Sequence, residues 1–192
     1  DLDGTLLNSD LLLESALAQV KQAPLSILNW PRWIAGGKAN LKAQIAARVE
    51  LDIETLPYNQ ELLTFLREQK AQGRTLVLVT ASHRKFAEAI ADHLGLFDDV
   101  LATDGDCNLA GPHKAETLVE RYGDRGFDYA GNAAIDLAVW KHARRAIAVN
   151  ASSSIAQQAS AVCEVERVFS PSAKPWRHWV KELRLYQWLK MR

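Results

Sequence analysis

The chain has 192 residues, 48% of them apolar and 24% charged, the make-up of a globular domain with room for one core and a small insertion. Its 23 basic and 23 acidic side chains cancel, which argues against a nucleic-acid partner. Cys107 and Cys163 lie far apart with no metal-binding spacing, which argues against a disulfide framework or a zinc site and fits a reducing compartment.

The chain opens on Asp1-Leu2-Asp3-Gly4-Thr5-Leu6. Two carboxylates two apart share one side of a strand end, and Gly4-Thr5 lets the backbone turn and present N–H groups to an anion. An apolar strand is therefore expected ahead of Asp1, with the chain a fragment of a longer protein. From Asn8-Ser9-Asp10 a capped helix follows, with Leu11, Leu12, Leu13, Ala16, Leu17 and Val20 at helical spacing. Pro24 and Pro31 interrupt, Gly36-Gly37 breaks, and Lys38 to Val49 reads as a further helix. Asn59 caps an amphipathic helix over Gln60 to Gln72, stopped by Gly73.

Strands and helices then alternate. Strands are expected at 75–80, 99–103, 127–130, 146–149 and 163–169, with helices at 82–94, 113–122, 135–143 and 153–160. Asp104-Gly105-Asp106 reads as a turn, and Trp140 as core. Such βαβ alternation implies a Rossmann-like parallel sheet with helices on both faces, which binds ligands at the carboxyl ends of its strands. The core is assigned to 1–7 and 59–170, a helical cap to 8–58, and a basic, tryptophan-rich tail to 171–192. From Lys174 to Arg192 there are six Lys or Arg against one Glu, with Trp176, Trp179 and Trp188. That composition suits a membrane-interface stretch, or a last helix packing its aromatics on the core. Trp30 and Trp33 read as cap core, with a lid or lipid-facing role as the alternative.

Every candidate site residue falls where a strand meets its loop. Asp1 and Asp3 supply a nucleophile and an acid or base. Gly4, Thr5, Thr80, Ala81 and Ser82 offer phosphoryl oxygens hydroxyl or backbone donors. Lys114 opens a helix after Gly111-Pro112 and neutralises a bound anion. Asp1, Asp3, Asn132 and Asp136 form an oxygen-only metal set suited to Mg2+. Asp104 and Asp106 are assigned to the turn rather than to that set.

Asp1-Leu-Asp-Gly-Thr-Leu6, Val79-Thr-Ala-Ser82, Gly111-Pro-His-Lys-Ala115 and Gly131-Asn-Ala-Ala-Ile-Asp136, in that order, resemble the motifs of the haloacid dehalogenase (HAD) superfamily of aspartate-nucleophile phosphatases. The helical insert is similar to the cap of the phosphoserine-phosphatase-like branch. The resemblance implies that Asp1 forms an aspartyl-phosphate, that Asp3 is general acid then base and gives Mg2+ its backbone carbonyl, and that Thr80 and Lys114 hold the phosphoryl group. Asn132 departs from the pattern, since the family usually carries a metal-ligating aspartate there. Weaker metal binding is expected, with Asp136 as an outer or compensating carboxylate.

A narrower resemblance rests on Asp10-Leu-Leu-Leu-Glu-Ser15, Leu56-Pro-Tyr-Asn59, His93-Leu-Gly-Leu-Phe-Asp98, Tyr129 to Trp140, and Leu183-Arg-Leu-Tyr-Gln-Trp-Leu-Lys190. These look like the HAD domains fused to UbiA-type membrane prenyltransferases. That implies a membrane domain beyond residue 192, tethering at the cytoplasmic face of the inner membrane, and a small-molecule or lipid-linked phosphate as substrate. Three functions follow: a Mg2+-dependent phosphomonoesterase, a weakened HAD domain that binds or regulates for the prenyltransferase, and a phosphotransferase.

Overall fold

The computed structural model describes residues 1–103 and 109–170. The Asp104-Gly105-Asp106 turn and the 171–192 tail lie outside the described residues. Residues Leu2–Leu6 form one tight turn, in which Gly4 takes a left-handed φ of 70° that a β-carbon would oppose. The chain then leaves the core at Leu7 and returns at Tyr58, where the two pair in an isolated antiparallel bridge. The hydrogen bonds Asn8 N–H to Pro57 O (2.8 Å) and Asn59 N–H to Leu6 O (2.9 Å) close this neck.

Between the two lie α1 (Leu11–Gln22), a 3-10 turn (Pro24–Asn29), α2 (Trp30–Ala35) and α3 (Gly37–Ala46). Pro31, expected to interrupt, instead sits in the first turn of α2, where a missing N–H costs nothing. These helices share a small core of Trp33, Ile45 and Val49, with Leu12, Ala16 and Leu41 against it.

The rest is α4 (Gln60–Ala71), β1 (Val77–His83), α5 (Arg84–Leu94), β2 (Asp99–Thr103), α6 (Pro112–Tyr122), β3 (Asp128–Gly131), α7 (Leu137–Trp140), β4 (Arg145–Val149), α8 (Ser153–Val162) and β5 (Glu164–Phe169). Asn59 caps α4 through Oδ1, which accepts from Leu62 N–H at 3.1 Å. Gly95 ends α5 in a left-handed cap at φ 60°. The helix expected at 135–143 shortens to Leu137–Trp140, because 134–136 forms a 3-10 turn around Asp136.

All strand pairs are parallel, in two groups: β1 with β2, and β3-β4-β5. Neighbouring residues on one strand feed opposite cores. Leu78 and Ile147 pack with α4 and α5, whereas Val79 and Ala146 pack with α6, α7 and α8. Helices therefore cover both sheet faces, as the alternation implies. An apolar cavity of about 290 Å³ separates β1 from β3, lined by Leu62, Phe65, Val79, Tyr129 and others, with Asp1 on its wall.

Asp128, the first residue of β3, ties distant segments together. Its carboxylate accepts both Arg144 Nε (2.8 Å) and Arg144 Nη2 (2.6 Å), and also Arg74 Nη2 (2.6 Å). Burial pushes its pKa up, but the Arg144 hydrogen bond and the charges of Arg144, Arg74 and Arg145 outweigh that and hold it below the ordinary aspartate value. A carboxylate with a lowered folded-state pKa stabilises the fold above the unfolded value and loses that contribution as pH falls through the folded one. Asp128→Asn is expected to cost about 1–3 kcal/mol in urea unfolding at pH 7. The deficit should shrink once the pH drops below the ordinary aspartate range; an equal deficit at all pH values contradicts this.

Candidate active site

At Thr80 the parallel ladder breaks. Thr80 pairs with Ala102, but the next pair is His83 with Thr103, so Ala81 and Ser82 bulge out of the ladder. The bulge frees this segment at the carboxyl end of β1. The Ser82 N–H donates to Thr80 Oγ1 at 3.0 Å, and the Ser82 hydroxyl donates to Asp3 Oδ2 at 2.7 Å. Thr80 is fully buried. Its oxygen is thus used as an acceptor, while among the described residues its hydroxyl proton has no recipient.

Asp1 and Asp3 are held differently. Asp1 Oδ1 accepts the Leu2 N–H (2.8 Å) and the Lys114 ammonium (2.9 Å). Asp1 Oδ2 accepts no hydrogen bond among the described residues, so one oxygen is pinned and the other is open. The Asp1 main-chain nitrogen donates to Ala130 O at 3.0 Å, which seats this residue against β3. Asp3 has both oxygens engaged, Oδ2 by Ser82 and Oδ1 by the Leu11 N–H at 2.7 Å. Asp3 therefore binds the first turn of the insertion to β1 of the core.

Lys114, only 4% exposed, enters from the first turn of α6. Its ammonium donates to Asp1 Oδ1 and to the Tyr129 hydroxyl (3.0 Å), and that hydroxyl donates to Asp136 Oδ1 (2.9 Å). Burial draws the Lys114 pKa below the ordinary lysine value, against the pull of Asp136 and Asp3. Tyr129 moves well above its ordinary value, through burial, then the Asp136 charge, then its hydrogen bond to Asp136. The phenol stays protonated and relays between cation and carboxylate.

Asp136, 1% exposed, has neither oxygen open. Oδ1 takes Tyr129, and Oδ2 takes the N–H groups of Asn132 (2.9 Å) and Ala133 (3.0 Å). Gly131 is required beside it, since a β-carbon there would stand 2.7 Å from the Asp136 carboxyl carbon. Asp136 thus meets the Asn132 segment through its main chain. The Asn132 side chain lies over Gly4, whose added β-carbon would meet Asn132 Nδ2 at 2.1 Å, and its Oδ1 accepts the Thr5 hydroxyl at 3.4 Å.

Asp1, Lys114, Asp136, Asn132, Gly4 and Thr5 are therefore linked through hydrogen bonds and packing, and a second set, Asp3, Ser82 and Thr80, meets them where Asp3 adjoins Gly4 in the chain. Ala81 joins it through its carbonyl, which accepts the Lys42 ammonium from α3 at 2.8 Å. Sequence reasoning missed three members: Tyr129, Lys42 and Asn150. Asn150, at φ 51° just after β4, donates to Gly4 O and Asn8 Oδ1, both at 3.1 Å. Its place at a strand's carboxyl end was the available signal. Tyr129 had a weaker one, two residues before Gly131 on the same face of β3. Nothing in the sequence marks Lys42, because only folding brings the insertion over β1.

The donors that face Asn132 and Asp1 are oxygens, which fits a hard cation such as Mg2+. Among the described residues, no three His, Cys, Asp or Glu side chains cluster as a metal site. A small groove of about 10 Å³ between insertion and core is lined by Leu11, Leu12, Ser15, Lys42, Ser82 and Phe86. That is room for at most one water.

Residues 1–139 match the family model described as haloacid dehalogenase-like hydrolase. The chain belongs to this family. It is 34% identical over 192 residues to the uncharacterized protein y4nM of Sinorhizobium fredii, a match covering 99% of this chain and 37% of that protein. The chain thus spans little more than a third of that relative's length. Among solved structures, a protein of unknown function from Bordetella pertussis Tohama I superposes with TM-score 0.64 at 17% identity, over 88% of this chain and 96% of that one. A substrate-bound phosphoserine phosphatase gives TM-score 0.60 at 17% identity, over 95% of both chains. At such identities the HAD domain shares the fold of these proteins.

The Tyr129 hydroxyl bridges two buried charged groups, and a phenylalanine there would leave both short of a partner. Tyr129→Phe is expected to destabilise the domain by about 1–3 kcal/mol in urea unfolding. Unchanged stability would mean that the relay carries no weight.

Proposed function

We propose that this HAD domain is a Mg2+-dependent phosphomonoester hydrolase working through an aspartyl-phosphate on Asp1. The observation carrying this reading is the asymmetry of Asp1, with Oδ1 fixed by Lys114 and the Leu2 N–H and Oδ2 open. Oδ2 attacks the phosphorus of the ester, forming the Asp1 O–P bond as the ester P–O bond breaks. The Leu11 and Ser82 contacts of Asp3 open for this step, and Asp3, carrying a proton at that point, gives it to the leaving alkoxide. A water then attacks the aspartyl-phosphate, Asp3 takes the water's proton, the Asp1 O–P bond breaks, and free phosphate departs.

The Thr80 hydroxyl and the Lys114 ammonium hold the phosphoryl oxygens, and Lys114 balances the charge that builds on them. Ala81 and Ser82, lifted from the ladder, and the Gly4-Thr5 turn line the same end of the sheet. Mg2+ would be held by Asp1, the Asp3 carbonyl and Asn132, with Asp136 behind them; when bound it supplies positive charge for the phosphoryl group. The small groove between insertion and core supports a cap that swings on the Leu7–Tyr58 neck to admit substrate. Asp3 and Lys42 would re-form their contacts as it closes.

The chain is further proposed to be the HAD part of a longer protein whose other part is a UbiA-type membrane prenyltransferase. The match to 37% of y4nM supports a longer protein. Among the described residues no helix is long and apolar enough to cross a membrane. Tethering at the cytoplasmic face and a small or lipid-linked phosphate substrate belong to this same proposal. A second reading, a binding or regulatory module, is favoured by the uncharged Asn132.

Asp1→Asn is expected to lower magnesium-dependent hydrolysis of p-nitrophenyl phosphate by about a thousandfold or more, as loss of a nucleophile does. Activity that survives the change removes Asp1 as nucleophile. Asn132→Asp should tighten magnesium binding by about tenfold, because a ligand gains charge; turnover appearing only in this variant favours the binding-module reading.

A further inference from the structure

We propose that Asn150 is a positioning residue, whose side-chain amide clamps the turn carrying Asp1 and Asp3 to the neck from which the insertion departs. Its effect on catalysis rests on the hydrolase reading; the clamp itself does not.

The turn contains a peptide plane that has to be held one way round. Asp3 (φ −70°, ψ 125°) and Gly4 (φ 70°, ψ −7°) are the two central residues of a type II turn. A type I turn over the same residues would turn the Asp3–Gly4 peptide over. Glycine permits the type II form without enforcing it, because it populates both signs of φ. Two hydrogen bonds supply the constraint. The Gly4 N–H donates to Ser9 O at 3.1 Å, and Gly4 O accepts the Asn150 amide at 3.1 Å. The peptides on both sides of Gly4 are thereby fixed, one by the start of the insertion and the other by the residue that follows β4. The Asp3–Gly4 peptide is trans, so the Asp3 carbonyl is directed away from Ser9. The Asn132 side chain closes on Gly4 as well, and leaves no space there for a β-carbon.

An asparagine amide has one proton for each of two acceptors. The second acceptor is Asn8 Oδ1, also at 3.1 Å. Asn8 in turn donates its N–H to Pro57 O at 2.8 Å across the neck. One side chain therefore spans the turn and the neck. The backbone of Asn150 shows what this arrangement costs. Asn150 lies at φ 51°, and among the described residues Arg125 is the one other non-glycine residue with positive φ. Asparagine tolerates this region better than most residues. Glycine would occupy it with less strain, so the backbone alone gives no reason for a side chain here. The amide gives that reason. The Asn150 main chain has its own anchor, an N–H donated to Phe169 O at 2.9 Å at the end of β5.

Two variants separate the amide from the backbone. Asn150→Gly keeps the left-handed conformation and loses the amide. Asn150→Asp keeps the size and sets an acceptor where a donor stood. Amide hydrogen exchange and magnesium-dependent hydrolysis of p-nitrophenyl phosphate are to be measured on the full chain with each. In both variants the Gly4 and Asn8 N–H groups should exchange about tenfold faster relative to those of β4. The kcat should fall about tenfold or more while KM stays within about twofold, as when reacting groups are intact but misplaced. Faster exchange throughout the domain with kcat unchanged would show a role in stability alone and overturn the proposal. Unchanged exchange at Gly4 and Asn8 overturns the clamp, and released amides with unchanged kcat overturn the positioning role. If the unaltered chain hydrolyses nothing, the hydrolase reading fails, and exchange at Gly4 and Asn8 then supports or overturns the clamp by itself.

Discussion

The candidate site depends on a buried chain of charge that runs from Asp1 through Lys114 and Tyr129 to Asp136. One ammonium 4% exposed meets the Asp1 carboxylate directly and the Asp136 carboxylate through the Tyr129 hydroxyl. An isolated charge at that depth is costly, so the fold must bring its partners together or not form at all. That requirement explains the other features around it. Gly131 is small because Asp136 presses on it, and Gly4 is small because Asn132 does. The 3-10 turn at Ala134–Asp136 exists where Asp136 gathers the Asn132 and Ala133 amides.

The same cluster joins the domain's two parts. Asp3 accepts from the first N–H of α1, and Lys42 of α3 reaches back to the Ala81 carbonyl. Lys85 of α5 adds a second stitch, donating to Ala46 O (2.9 Å) and Val49 O (3.1 Å) at the end of α3. The groups that would handle a phosphate therefore also set where the insertion lies. A movement of the insertion would be felt first at Asp3, Ala81 and Ser82, through hydrogen bonds rather than through apolar packing. Such bonds break singly at modest cost, which suits a cap that opens without unfolding its own small core.

The two halves also differ in their surfaces. The sheet layer buries its apolar side chains on both faces. The insertion has a core of three buried side chains and, among the described residues, six of the eight exposed large apolar ones.

Alternating apolar runs and caps determined the parallel sheet with helices on both faces, because period and capping are local properties. The places of Thr80 and Ser82 at the carboxyl end of β1, and of Asn132 just after β3, were legible for the same reason. Tertiary structure decided what each oxygen and nitrogen does. The open Oδ2 of Asp1, the closed carboxylate of Asp136 and the Tyr129 relay all come from contacts between residues that are distant in sequence or turned toward each other only by packing. Lys42 and Asn150 entered the site in this way, and Pro31 became a helix start because its neighbours folded around it. Local patterns fix which elements form; the direction of a side chain within the site depends on burial and on partners supplied from elsewhere in the chain.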